Sequence, residues 1–301
     1  MRSTRVALLA LALACATAAP SLAAPNVVVS IKPIHALVAD VMDGVGTPTL
    51  LLPSASSPHV YTLRPSDARA LEAAAVVVWV GPELETFLEK PVAAIARRAQ
   101  VVTLARDAGL ALLPAREAGA DGHAAGLDVM DMHLWLDPEN ARRIVVYVAK
   151  ILSLADPANA VRYAANRDRT FARLEALDRE VAALLAPAAG KPLFALHDGF
   201  QYLETRYGLN EAGTVTVSSD RVPGAKLLLA AREAIRTAGI VCVLGEPQFS
   251  AALAQTVVEG TGAVVVVVDP MGAAAPQGPG AYDVILRTMA KAVRECLIPA
   301  V

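Results

Sequence analysis

Two blocks of this chain repeat one rhythm, short β-branched runs alternating with amphipathic segments, and a stretch of different character separates them. From Val27 to Leu104 the order is NVVVSI, IHALVADVM, TLLL, SDARALEAA, VVVWV, a helix-like segment after Gly81, and VVTL. After Gly190 it restarts with PLFALH, GFQYLETRYG, TVTV, PGAKLLLAAREAIRTAG, IVCVL, a helix from Ser250, AVVVVVD and a last helix through Cys296. This alternation predicts βα units around parallel sheets. Between the blocks, Pro157 to Leu185 contains no Gly and no internal Pro, and Val161, Ala164, Phe171, Leu174, Leu177, Val181 and Leu184 recur at helical spacing. At 1.5 Å per residue such a helix is about 40 Å long, enough to leave one lobe and enter the next. The expected fold class is therefore α/β: two (β/α) lobes with parallel sheets, spanning residues 24–156 and 187–301, joined by a long backbone helix over 157–186. A helical connector is stiffer than a Gly/Ser linker, so the lobes should move little against each other.

Residues 1–23 read as a secretory signal peptide. Arg2 and Arg5 precede an apolar stretch from Val6 to Ala14, and Ser21 and Ala23 occupy the small-residue positions before cleavage. A rival reading places a lipid anchor on Cys15. No later stretch reaches the roughly 18 uncharged apolar residues that a membrane helix needs. Without Arg2 and Arg5, 25 Lys and Arg face 29 Asp and Glu, a formal charge of −4. No basic run suggests nucleic acid as a partner. Cys242 and Cys296 are the two cysteines of the mature chain, and in an oxidising compartment they are expected to pair; the alternative is two separate buried thiols.

Candidate chemistry lies at the ends of the apolar runs. His59 follows TLLLP, His133 lies in DMHLWLDP, His197 in FALHDGF and Asp269 in VVVVVDP. The gaps of 74, 64 and 72 residues are too long for a zinc finger but suit a fold that gathers strand ends. Three imidazoles and a carboxylate converging between two facing lobes would form a tetrahedral site suited to zinc. Each residue also has an ordinary reading: His59 as a loop residue, His133 as a hydrogen-bonded core residue, His197 paired with Asp198, Asp269 as the start of a turn. The Gly/Ala/Asp-rich segment from Pro114 to Met132 reads as a loop, and its His123, Asp121, Asp128 and Asp131 offer a weak auxiliary metal site. His35 reads as structural, and Glu246 and Asp198 as carboxylates that orient ligands rather than bind metal.

The segments SPHVYTLRPSDARAL, VVVWVGPELETFLE, MHLWLDPENAR, LHDGFQYLETRYGL, GEPQFS and VVDPMG, in this order, resemble the signatures of the cluster A-I solute-binding proteins of zinc and manganese ABC importers. The resemblance covers nearly the whole mature chain and implies two (β/α) lobes on a backbone helix with metal in the cleft. It also implies His59, His133, His197 and Asp269 as the ligands and Cys242–Cys296 as a disulfide. Manganese-type members usually carry Glu where His197 stands, so three imidazoles favour zinc. Pro58 occupies a position where some zinc-type members have Glu, which leaves Asp269 or water as fourth ligand. The resemblance implies a periplasmic zinc receptor, not an enzyme, that is monomeric and delivers Zn2+ to an ABC permease, with a zinc metallochaperone as a second candidate partner. The alternatives are a manganese or iron receptor of the same fold, a secreted zinc hydrolase, which lacks an HExxH helix here, and a surface adhesin retaining a structural metal.

Overall fold

A computed structural model describes residues 24–53, 56–116, 129–216 and 223–298. The signal-peptide reading, Cys15, His123, Asp121 and Asp128 lie outside them. The first lobe contains β1 (Val27–Val29), α1 (Lys32–Met42), β2 (Thr49–Leu50), α2 (Pro65–Ala73), β3 (Val76–Trp79), α3 (Thr86–Ile95), β4 (Gln100–Thr103), the single turn α4 (Leu104–Asp107) and α5 (Pro138–Ala155). Helix α6 (Ala160–Leu185) follows. The second lobe contains β5 (Pro192–His197), α7 (Gln201–Tyr207), β6 (Asn210–Thr216), α8 (Ala225–Thr237), β7 (Cys242–Gly245), α9 (Ala251–Val258), β8 (Val264–Val267) and α10 (Ala281–Leu297). The sheets have the orders β2-β1-β3-β4 and β6-β5-β7-β8, and every pairing is parallel. The two lobes thus share one topology, as the repeated rhythm predicts.

Strand alternation sorts the second sheet's side chains onto two faces. Leu193 and Ala195 of β5, with Cys242 and Leu244 of β7, join the main core. Phe194, Leu196 and Val243 point the other way, into a smaller core with Ile235 and Val257 beneath α8 and α9. Cys242 therefore faces α10, where it forms a disulfide with Cys296. The bond closes a 54-residue separation, worth about 4 kcal/mol in the chain-entropy treatment.

The main core does not stop at the lobe boundary. Val28, Leu37, Val78 and Ile144 of the first lobe are contiguous with Leu244, Leu286 and Val293 of the second through Leu174, Leu177 and Val181 of α6. At 26 residues α6 is about 39 Å long, and it packs on α1, α5 and α10. Its buried stripe is Tyr163, Asn166, Thr170, Leu174, Leu177, Val181 and Leu185. The predicted stripe is displaced at its start, where Val161 is 84% exposed. Polar residues hold the buried positions there because the neighbouring helices offer partners. Asn166 Nδ2 donates to the carbonyls of Val41 and Asp43, each at 2.8 Å, and Tyr163 OH donates to Asp156 at 2.9 Å.

Charged residues of α6 tie both lobes together. Arg173 bonds Asp40 of α1 at 2.5 Å and Asp283 of α10 at 3.1 Å. Asp178 accepts from Arg142 of α5 at 3.3 Å and pairs with Arg206 of α7. Removing one member of such a desolvated group leaves a buried charge unmatched, at about 3–5 kcal/mol. A continuous core and these clasps resist hinge motion. Zinc addition should leave the radius of gyration in small-angle scattering essentially unchanged, and a large domain closure would contradict this rigid frame.

Candidate metal centre

The site forms where strands end and helices begin. β5 delivers His197 and β7 is followed at once by Glu246; these neighbouring strands flank the point where the strand order of the second sheet reverses, the usual ligand crevice of an open α/β sheet. His133 arrives differently. The run Leu134–Leu136 is one turn of 3₁₀ helix, not a strand, because Asp137 caps Pro138 and the start of α5 directly behind it, accepting from Glu139 N at 2.9 Å. The second lobe fixes that turn: Trp135 Nε1 donates to Pro270 O at 3.0 Å, and Tyr282 OH donates to Trp135 O at 2.6 Å. His59 lies in the loop after β2, its backbone N–H donating to Ser57 Oγ at 3.2 Å.

The three imidazoles converge, with ring centroids 5.7 Å (His59–His133), 5.4 Å (His59–His197) and 5.0 Å (His133–His197) apart. One nitrogen from each lies within 4.8 Å of the other two. The cavity they line with Glu246, Gln248 and Met271 measures ≈ 10 Å³, about the size that holds one water-sized body. A bare ion fits; an organic ligand does not.

Two carboxylates set the rings. Asp131 Oδ1 lies 2.8 Å from His133 Nδ1 and also accepts the His133 backbone N–H at 2.9 Å. Glu246 Oε1 lies 2.7 Å from His197 Nδ1. With Nδ1 engaged, Nε2 is the nitrogen each ring offers a metal, the arrangement that fixes the tautomer and raises ligand basicity. His59 Nε2 and His197 Nε2 are buried without a hydrogen-bond partner among the described residues, which leaves their lone pairs free for a metal ion. Burial disfavours the charged form of His133, but Asp131, with Glu246 and Asp198, outweighs it and raises the pKa. Burial and the charges of His133 and His197 push His59 down to about 3.

Asp269, expected to complete the set, does not join the three imidazoles. Its carboxylate accepts the backbone N–H groups of Met271 (3.1 Å), Gly272 (2.9 Å) and Ala273 (2.5 Å), organising the turn after β8. His35 is structural as read, its Nε2 lying 2.9 Å from Pro48 O. Asp198 pairs with Arg116 at 3.1 Å, in a cluster with Glu204 and Glu211. Asp131, read from sequence only as part of a loop metal site, is the orienting partner of His133; its place two residues ahead of a histidine is the signal that could have revealed it. Gly199 is a further site residue that carries no sequence signal. A Cβ there would meet His197 Nδ1 at 2.9 Å and His133 Nε2 at 3.3 Å.

A rigid pair of parallel α/β lobes around a cavity that fits one ion and is lined by three imidazoles defines a metal-ion receptor. Residues 27–296 match the sequence profile of the family described as zinc-uptake complex component A, periplasmic (ZnuA), and the chain belongs to that family. It is 39% identical to the high-affinity zinc uptake system protein ZnuA of Brucella abortus (strain 2308), over 90% of this chain and 91% of that one. It is 34% identical to the protein of the same name from Paracoccus denitrificans, over 96% and 97%. A crystal structure of a zinc-bound ZnuA deletion mutant superposes with a TM-score of 0.79 at 24% identity, covering 92% of this chain and all of that one, a likeness of fold.

Gly199→Ala should weaken metal binding about tenfold or more, the scale of losing an orienting partner, because the new methyl displaces an imidazole. Competition titration of the variant checks this; unchanged affinity would show that the rings tolerate the displacement.

Proposed function

We propose that this chain is the extracytoplasmic zinc receptor of an ABC-type importer, holding one Zn2+ between its lobes and delivering it to a membrane permease. The observation that carries the reading is the convergence of three imidazoles, two with Nδ1 engaged by buried carboxylates, on a cavity sized for one ion. Nitrogen donors suit zinc better than manganese, which prefers oxygen. His59, His133 and His197 are the proposed ligands. Tetrahedral zinc then needs a fourth donor, and we assign it to water rather than Asp269, whose carboxylate serves three backbone amides. Binding rather than hydrolysis fits the site, since Asp131 and Glu246 each direct an oxygen at an imidazole Nδ1 and so act on the far side of the rings from a substrate. The family's description and its relatives' names support zinc uptake and a periplasmic setting.

Zinc titration of the purified mature protein should saturate at one ion per chain. Alanine at His59, His133 or His197 should each reduce affinity by more than the roughly 10–100-fold typical of losing an orienting partner, and Asp269→Ala should fall within that smaller range. Equal zinc retention by all three histidine variants would reject the site.

Protons compete with zinc for the same nitrogens. A ligand whose pKa is raised keeps its full zinc affinity only above that pKa and loses it as pH falls through it, so His133 should take the first proton, starting above the ordinary value of about 6.5. His59, held down to about 3, should stay neutral. In NMR titration of the zinc-free protein from pH 8 to 5, His133 should titrate and His59 should not, and zinc affinity should fall over the same range. A flat affinity profile would contradict a site built from imidazoles.

A further inference from the structure

One polar side chain in the cavity has no role in the arrangement above. Gln248 lines the same ≈ 10 Å³ space as His59, His133 and His197, and both Oε1 and Nε2 of its amide are buried without a hydrogen-bond partner among the described residues. Leaving a buried polar group unpaired costs about 1–3 kcal/mol, so two such atoms on one amide facing a ligand cavity call for a partner inside it.

The backbone holds Gln248 there firmly. It belongs to the turn Glu246–Phe249, closed by Phe249 N donating to Glu246 O at 3.0 Å. Ser250 then caps α9, its Oγ accepting from Leu253 N at 3.2 Å. The residues on either side of Gln248 in this turn contact His197: Glu246 Oε1 at its Nδ1, and Phe249 with ring centroids 6.4 Å apart. The turn that orients one imidazole therefore also presents an unused amide to the cavity.

Taking up zinc on three imidazoles leaves one tetrahedral position, and Asp269 is engaged elsewhere. A water in that position needs two to four polar partners to be well ordered. We infer that Gln248 is a positioning residue that hydrogen-bonds the water completing the zinc shell. Its amide is neutral and cannot serve as a base, so the water is kept as a ligand rather than activated for attack. This inference rests on the receptor reading above.

The test compares wild type, Gln248→Leu and His59→Ala in zinc competition titration, thermal unfolding with and without zinc, and visible spectroscopy of the cobalt(II)-loaded protein. Gln248→Leu replaces the orphaned amide with apolar atoms of similar size, so the zinc-free protein should unfold at the wild-type temperature or higher. Zinc affinity should nevertheless drop about tenfold, the scale of an outer partner, and the cobalt absorption bands should shift as the fourth position changes. Wild-type affinity and an unchanged cobalt spectrum in Gln248→Leu, with His59→Ala impaired, would overturn the role of Gln248 while leaving the receptor reading intact. A wild-type protein that takes up no zinc would instead remove the receptor reading. A lower unfolding temperature of zinc-free Gln248→Leu, with the cobalt spectrum unchanged, would mark the residue as structural and also overturn the inference. Should the leucine variant not fold, Gln248→Ala is read by the same affinity and spectral criteria.

Discussion

Everything at the site depends on the lobes being held at a fixed separation, and α6 does this by belonging to both. Its buried stripe joins two halves of one core, and Arg173, bonded to Asp40 on one side and Asp283 on the other, locks the halves in register. The contacts beside the cavity repeat the principle. Trp135 donates to Pro270, and Lys32 Nζ donates to the carbonyls of Ala273 (3.2 Å) and Ala275 (2.6 Å), so the turn after β8 is fastened to the first lobe at several points. Across this frame imidazoles from separate lobes meet at 5.0 Å (His133–His197) and 5.4 Å (His59–His197).

Electrostatics then differentiates three chemically identical imidazoles. His133 and His197 are almost fully buried and each has a carboxylate at Nδ1, whereas His59 sits half-buried on a loop. Asp131 makes His133 the ring that favours a proton, and that proton in turn disfavours charge on His59. Repulsion among three would-be cations in a small cavity is relieved most directly by one divalent ion bound to neutral rings. The same low-dielectric enclosure that depresses His59 strengthens each metal–nitrogen attraction.

Much of this was legible in the sequence, and for a physical reason. Parallel strands and their helices announce themselves by apolar runs and helical periodicity, so two lobes with parallel sheets followed from a rhythm repeated twice, whereas the order of the strands within each sheet did not. The length of α6 was readable from the absence of Gly and Pro, but not its buried face, since Asn166 and Thr170 are buried by hydrogen-bond partners and neighbours that lie far away in the chain. Leu134–Leu136 failed as a strand because a continuous apolar run carries no period; the proline and cap behind it decided the matter. The three histidines emerged from their positions near strand ends and from the resemblance together, while Gly199 was invisible because its requirement is an empty volume beside two rings.

Asp269 illustrates the limit most sharply. A carboxylate at the end of an apolar run before Pro270 is compatible with a turn and with a metal ligand; the residue alone favours the turn, and the family resemblance favours the ligand. In three dimensions the competition is between one cation and three backbone amides, of Met271, Gly272 and Ala273. Those amides are not optional, because the turn they close presents the Pro270 carbonyl that Trp135 needs, and Trp135 is two residues from His133. Drawing the carboxylate away to reach an ion would release the turn, loosen the Trp135 bond and disturb an imidazole already in place. In this arrangement Asp269 shapes the turn beside the cavity, which is why water is the fourth donor proposed above.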